Sequence, residues 1–434
     1  MIAGSINVGS AVWGLVPLVV LITGSQVMAQ TKEPSQSTTE SAQTAAKTDE
    51  PPASDELVDV TDLIRKLRRK DQPAEAAEFD YRKPMWTFLP VIGAKPSSGV
   101  IVGFAGNVGF YRGDPSTTRI SSSVASATFT TKKQAGISAH TTMFGRDDRW
   151  LMELDHRFQW TSQKTYGLGT STSATSGDLV RFDFYRLYQS AYVRLRANLF
   201  AGAGLHFDRH TDVRPDEDIE DEWPQSAYYQ YSVANGLPLD AQTSAGPGAE
   251  VIWDSRDNFI NPSRGWLARV GYSAHFNGFL GGDSSWEKVN LDLRTYAPLS
   301  SDRRHKLAVW AYADLVVDGV APYFDLPATA SDSYGRSGRG YAEGRYRGEK
   351  LAFVELEYRA PLMRSGLLGM VAFANATTIS NQQAGEHIFD NFAPGAGAGL
   401  RLLLNKRSRT NLAFDLGFGE RGHWGLYLVV QEAF

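Results

Sequence analysis

The first residues to test for chemistry in this chain are its eight histidines, at 140, 156, 206, 210, 275, 305, 387 and 423. None has metal-ligand spacing, and His206 with His210 lacks the companions of a zinc motif. No Gly-x-Ser-x-Gly elbow is present. Cysteine is absent, which excludes a thiol nucleophile, a thiolate metal site and a disulfide framework. Gly167-Leu-Gly169 is no phosphate loop, because no helix is expected after it. Asp212, Asp216, Glu217, Asp218, Glu220, Asp221 and Glu222 form an acidic cluster without calcium-loop spacing, which reads as a solvated surface loop. The chain is therefore read as no enzyme, with no catalytic residue, no cofactor and no metal site. A net charge of −4 gives no reason to expect nucleic acid as a partner.

The charges with ordered placement alternate with apolar residues. Lys288, Asn290, Asp292 and Arg294 alternate with Val289, Leu291 and Leu293. Glu153, Asp155 and Arg157 alternate with Met152, Leu154 and Phe158. Glu355, Glu357 and Arg359 share one face, and Val354, Leu356 and Tyr358 share the other. Period-two separation of charge from grease needs strands with one wet and one oily face, as in a membrane barrel with a polar lumen. A mean hydropathy of −0.30 suits such a barrel, since only every second strand residue meets lipid.

Sixteen such segments can be marked between residue 85 and the end, each bounded by turn chemistry. Tight links at 145–148, 196–197, 300–303 and 362–365 alternate with long ones at 161–182, 210–245, 319–348 and 377–393, the rhythm of periplasmic turns and outer loops. Trp86, Trp150, Trp160, Trp253, Trp266, Trp286 and Trp424 fall near expected strand ends, where indole rings favour the headgroup level. The last segment, from Trp424 to Phe434, is an apolar strand expected to pair with the first, because its open edge would invite aggregation. The expected fold is all-β: a sixteen-stranded antiparallel transmembrane β-barrel over residues 85–434.

The barrel is preceded by two further segments. Residues 1–29 read as a secretory signal peptide, with an apolar run from Ala11 to Ile22 and a cleavage site after Ala29, although no Lys or Arg precedes the run. Residues 30–84 read as a linker or periplasmic arm, mostly disordered, with a short amphipathic helix at 55–71 beside the basic run 65–70. The expected location is the bacterial outer membrane.

An ordered set of motifs adds a resemblance. Gly246-Pro-Gly-Ala-Glu-Val-Ile-Trp-Asp254 continues through Arg256-Asp257-Asn258 to Gly265-Trp266. Gly338-Arg339-Gly340-Tyr341 is followed by Glu355-Leu-Glu357-Tyr-Arg359, then by Pro394-Gly-Ala-Gly-Ala-Gly-Leu-Arg401. This set resembles the BamA/TamA-type outer-membrane barrel superfamily, the bacterial surface antigen barrels, over roughly residues 85–434. The resemblance implies that the loop at 319–348 folds back into the lumen. It also implies that Arg339, with Gly340 and Tyr341, locks the loop against Glu357. Gly395, Gly397 and Gly399 share one face, which would let packed loop backbone approach the wall.

This chain departs from that family's pattern at two places. Asn375 stands where an aspartate usually also meets the loop arginine. Glu432 stands two residues before the barrel-terminal signal Phe434, at a position usually apolar, where the rim makes a carboxylate cheap. Residues 30–84 are also too few for a whole polypeptide-transport-associated (POTRA) domain. The expected function is outer-membrane protein or lipid assembly or translocation without POTRA domains of its own. Its expected partners are outer-membrane lipids and lipopolysaccharide, with periplasmic chaperones or client barrels. The alternative is a passive or loop-gated diffusion pore.

Overall fold

The computed structural model describes residues 57–67, 80–95, 99–174, 177–216, 220–333, 335–432 and 434. The expected signal peptide and its cleavage site lie outside them. Sixteen strands form one sheet in strict chain order, and every neighbouring pair is antiparallel. They are β1 Met85–Lys95, β2 Gly99–Phe110, β3 Ser121–Thr130, β4 Ala135–Phe144, β5 Trp150–Thr165, β6 Asp178–Arg196, β7 Leu199–Pro215 and β8 Gln242–Asp254. There follow β9 Gly265–His275, β10 Trp286–Pro298, β11 Lys306–Gly319, β12 Lys350–Pro361, β13 Leu368–Ile379, β14 Ala393–Asn405, β15 Thr410–Gly419 and β16 Trp424–Val430.

Alternation sorts the faces. Phe104, Phe129, Ile137, Val270, Val354 and Leu356 are exposed on the outer wall, whereas Asp155, Asp208, Asp292, Glu355, Glu357 and Asp415 are buried inside. No helix among the described residues is long and apolar enough to cross a membrane, and a barrel crosses with strands instead.

Several strands outgrow their expected bounds, most of all around two long links. β5 runs to Thr165, β6 begins at Asp178 and β7 continues to Pro215, so much of two expected loops is wall. Arg181 and Asp216 pair across this extension at 2.5 Å. Phe182 and Phe184 bury their rings against loop residue Phe324 and His210 respectively. The link after β7 holds a helix, α1, at Ala227–Ala234, capped by Ser226, whose hydroxyl accepts the Tyr229 N–H. The acidic cluster is no single site: Asp212 pairs with Arg214 and Asp216 with Arg181, and residues 217–219 lie outside the described set.

A second correction concerns tryptophan. Trp86, Trp253, Trp266 and Trp424 stand exposed at strand ends, but Trp286 is buried. Its ring stacks on His275 at 4.0 Å, and its N–H reaches Ser244. Being inward-facing at the end of β10, it packs beneath the outer loops instead of meeting headgroups.

The third correction is at the end of the sheet. β16 stops at Val430, and no ladder joins it to β1 among the described residues. Gln431 adopts φ 79 and turns the chain inward. Glu432 and Phe434 are then buried in the lumen, not set on the rim. Glu432 bonds Arg401 at 2.6 Å and accepts from Asn411, and Phe434 packs on Trp310 and Tyr296. Two interior donors for the carboxylate and two rings for the phenyl group outweigh continuing a strand that would face Glu432 toward lipid.

Before the barrel lies the helix Val60–Leu67, denoted αN. Asp59 caps it: Asp62 N–H donates to Asp59 Oδ1 at 2.9 Å, and Asp59 N–H donates back to Asp62 Oδ2 at 3.3 Å. Val60 and Ile64 pack with Leu402, Leu404, Leu412 and Val430 at the short-turn rim, the periplasmic one in such barrels. Lys406 fastens the start of the helix through Asp59, Asp62 and the backbone oxygen of Leu57.

Candidate functional site: a loop lock in the lumen

The loop between β11 and β12 enters the barrel and delivers Arg339 to its inner wall. Alternation along β12 turns Glu355, Glu357 and Arg359 inward, and all three are buried. The Arg339 guanidinium reaches Glu355 at 2.5 Å through Nη2 and 3.2 Å through Nε. It also bonds Glu357, and reaches Asp415 on β15 at 2.7 Å through Nη1. Its Cζ lies 3.7 Å from the centre of the Phe373 ring. Arg339 therefore meets three carboxylates on two strands, not the single partner Glu357 expected.

The network extends beyond the lock. Arg401 bonds Asp415 at 2.5 Å and Glu432 at 2.6 Å, while Arg359 bonds Glu357 at 2.5 Å and the backbone oxygen of Phe434 at 2.9 Å. Loop, wall and inturned tail are thus tied by shared acids. Desolvating so many charges offsets most of their attraction, so the network gives position more than net stability.

Asn375 faces Glu355 directly across the β12–β13 ladder. It acts as donor: Nδ2 gives hydrogen bonds to the Arg339 backbone oxygen and to Glu355, each at 3.0 Å.

Gly340 and Tyr341 fix the loop backbone. Gly340 N–H donates to the Tyr427 hydroxyl at 2.9 Å, and that hydroxyl donates to the Tyr341 backbone oxygen at 3.0 Å. The Tyr341 hydroxyl donates to Pro394 O and accepts the Glu420 N–H. Burial pushes that hydroxyl up to about 12, so it stays protonated as a donor. Gly340 has φ +112, and a Cβ there would lie 2.8 Å from the Phe418 backbone.

The glycine face of β14 divides its work. A Cβ on Gly395 would stand 2.7 Å from the Arg339 oxygen, the close loop approach that was expected. At Gly397 and Gly399 the added atom would instead strike the Phe373 ring and the Asp415 carboxylate. Those two positions leave room for side chains of the lock, not for loop backbone.

Further out, the same loop joins a dome. Arg347 donates to the oxygens of Tyr323 and Leu326 and to Gln163, while Arg345 grips Thr172 and His423. Tyr228 and Tyr231 of α1 pack with Tyr323 and Leu326 in an apolar cluster. Sequence reasoning missed Asp415 and Tyr427, and it placed Arg345 and Arg347 in the motif Gly344-Arg-Tyr-Arg-Gly348 without giving them a role. A lone carboxylate inside Leu412-Ala-Phe-Asp415-Leu-Gly-Phe was the available signal for the first. Among the described residues no three His, Cys, Asp or Glu side chains are grouped to hold a metal ion.

The Omp85 superfamily domain matches residues 136–419, which hold nearly all of this machinery. Among solved structures, BamA from Haemophilus ducreyi lacking POTRA domains 1–3 is similar, with TM-score 0.52 and 13% identity over 80% of this chain and 69% of that one. CdiB from Acinetobacter baumannii is similar with TM-score 0.50 and 10% identity, over 80% of this chain and 59% of that one. CdiB from Escherichia coli gives TM-score 0.50 and 11% identity, over 80% of this chain and 62% of that one. The chain therefore spans less than two thirds of either CdiB, and identities this low establish the fold alone. No curated protein matches the chain. With the family domain matched over more than half its length, this outer-membrane barrel belongs to the Omp85 superfamily.

Proposed function

We propose that this barrel assembles or translocates proteins or lipids at the outer membrane, acting at the junction of its first and last strands. The observation that supports this reading is the junction itself: β16 is short, its tail turns inward, and no ladder ties it to β1 among the described residues. Beside it, the Arg339 lock braces β12 and β15, so the wall is held firm up to the place where pairing stops. Unpaired strand edges are templates for another strand, and the mismatch disturbs neighbouring lipid. The proposed partners are outer-membrane lipids, lipopolysaccharide and client barrels, with periplasmic chaperones delivering the latter. No catalytic step is proposed, and the precursor is proposed to lose its signal after Ala29.

Depletion followed by an inventory of outer-membrane proteins and lipids tests the reading. The cysteine-free chain allows a disulfide to be placed across the junction, one cysteine on β1 and one on β16. The oxidised form should fail to reverse the depletion and the reduced form should succeed. An unchanged inventory on depletion would sink the proposal.

The dome supports a second reading, a loop-gated pore. Deleting residues 320–349 should then raise single-channel conductance while the inventory stays normal.

A further inference from the structure

A cavity of about 190 Å³ lies at the periplasmic end of the lumen, below the lock and beside Leu57, which precedes αN. Of the seven Lys and Arg residues that line it, three come from neighbouring places: Arg304 from the β10–β11 turn, Lys306 from the start of β11 and Arg359 from the end of β12. Each has unused donor capacity. Arg359 is 3% exposed, and its Nη1 has no hydrogen-bond partner. Arg304 Nε is likewise buried without one, 3.8 Å from Asp302. Lys306 Nζ donates only to neutral oxygens, Asn261 Oδ1 at 2.9 Å and Pro262 O at 3.2 Å. No carboxylate lies within ion-pair distance of it among the described residues. The positive charges of Arg359 and Arg409 act on it, partly offset at longer range by the carboxylates of Glu432 and Asp257.

Buried guanidinium donors left unmade are costly, and like charges brought together add to that cost. One anion with several acceptor oxygens relieves both. Cations approaching from a turn and two strands suit a tetrahedral oxyanion better than a planar carboxylate. The rest of the wall is mixed: Arg401 and Lys406 add cations, Asp302 and Glu432 are carboxylates already engaged by arginines, and Leu57, Met370 and Leu403 form an apolar part with room for an aliphatic substituent.

We infer that this vestibule is a phosphate-binding site, taking the oxyanion shared by phospholipid headgroups and free phosphate. Arg304, Lys306 and Arg359 hold the oxygens, and the apolar part of the wall receives whatever the phosphate carries.

Calorimetry on the full chain in a maltoside detergent, which carries no phosphate, tests this with two probes. These are inorganic phosphate and dihexanoyl-phosphatidylglycerol. Saturable binding of either probe supports the site: inorganic phosphate alone identifies free phosphate as the source, and the lipid alone identifies a headgroup. Lys306→Met and Arg304→Met should each weaken binding about tenfold, and Arg407→Met, on a nearby turn outside the cavity, should not. Arg359→Gln is set aside because Arg359 also holds Glu357. Absence of saturable binding to both probes overturns the inference. So does binding that survives both cavity variants, or that falls equally with Arg407→Met.

Discussion

The side-chain amide of Asn375 donates a hydrogen bond to the backbone oxygen of Arg339 at 3.0 Å, holding the loop residue from behind while its guanidinium engages the wall. The same amide nitrogen serves Glu355, also at 3.0 Å. Asn375→Asp replaces this donor with a further carboxylate beside Glu355. It should lower stability at neutral pH by about 1–3 kcal/mol. Urea unfolding of the detergent-solubilised protein measures this, and an unchanged or higher midpoint would contradict the assigned donor role.

Removing the arginine itself is more costly. Arg339→Met leaves Glu355, Glu357 and Asp415 buried without their shared cation, a loss of about 3–5 kcal/mol. The loop should become open to trypsin from outside. Because three acids surround the arginine, combining Arg339→Glu with Glu357→Arg should not restore protection. Full recovery in that double variant would mean that Glu357 alone carries the contact.

Gly340 is required for two separate reasons, its positive φ and the absence of space beside Phe418. Gly340→Ala should strain the loop by about 1–3 kcal/mol and unseat it without changing any charge. Planar-bilayer recordings should then show more frequent openings than wild type, and identical traces would count against the close approach.

The dome has its own acid dependence. Burial, then the nearby Asp208 carboxylate, pushes Asp325 up to about 7 from an ordinary 3.8. Arg186 and Lys288 oppose the shift, Ser244 donates to Oδ2, and His210 stands 3.8 Å from Oδ1. Between those two values the folded chain holds a proton that the unfolded chain has released. Stability from this group is therefore complete below about pH 4 and lost as pH rises toward 7. Asp325→Asn should flatten the slope of unfolding midpoint against pH over that window. A slope equal to wild type would remove Asp325 as its source.

Much of this architecture was legible because strand alternation is local. Glu355, Glu357 and Arg359 declare their face within five residues, and Lys288 to Arg294 within seven. Arg339 was legible through its motif. What escaped depends on register between distant strands. Asp415 joins the lock only because β15 sets it opposite Gly399, a pairing no short window contains. Trp286 sits at a strand end like the rim tryptophans, and only the loops packed above it reveal an interior position. The inward turn at Gln431 was hidden for a related reason. Its motive is Arg401, Asn411 and Trp310, which precede it by twenty residues or more.

αN comes before every strand of the wall, yet its seat is made by Leu402, Leu404, Leu412 and Val430, from the last three. That seat does not exist while the chain is still being threaded into the bilayer. This helix, ahead of the whole wall in the chain, must wait for the last strands before it can dock. Its arrival thus marks a finished product, and a half-built barrel leaves it adrift in the periplasm.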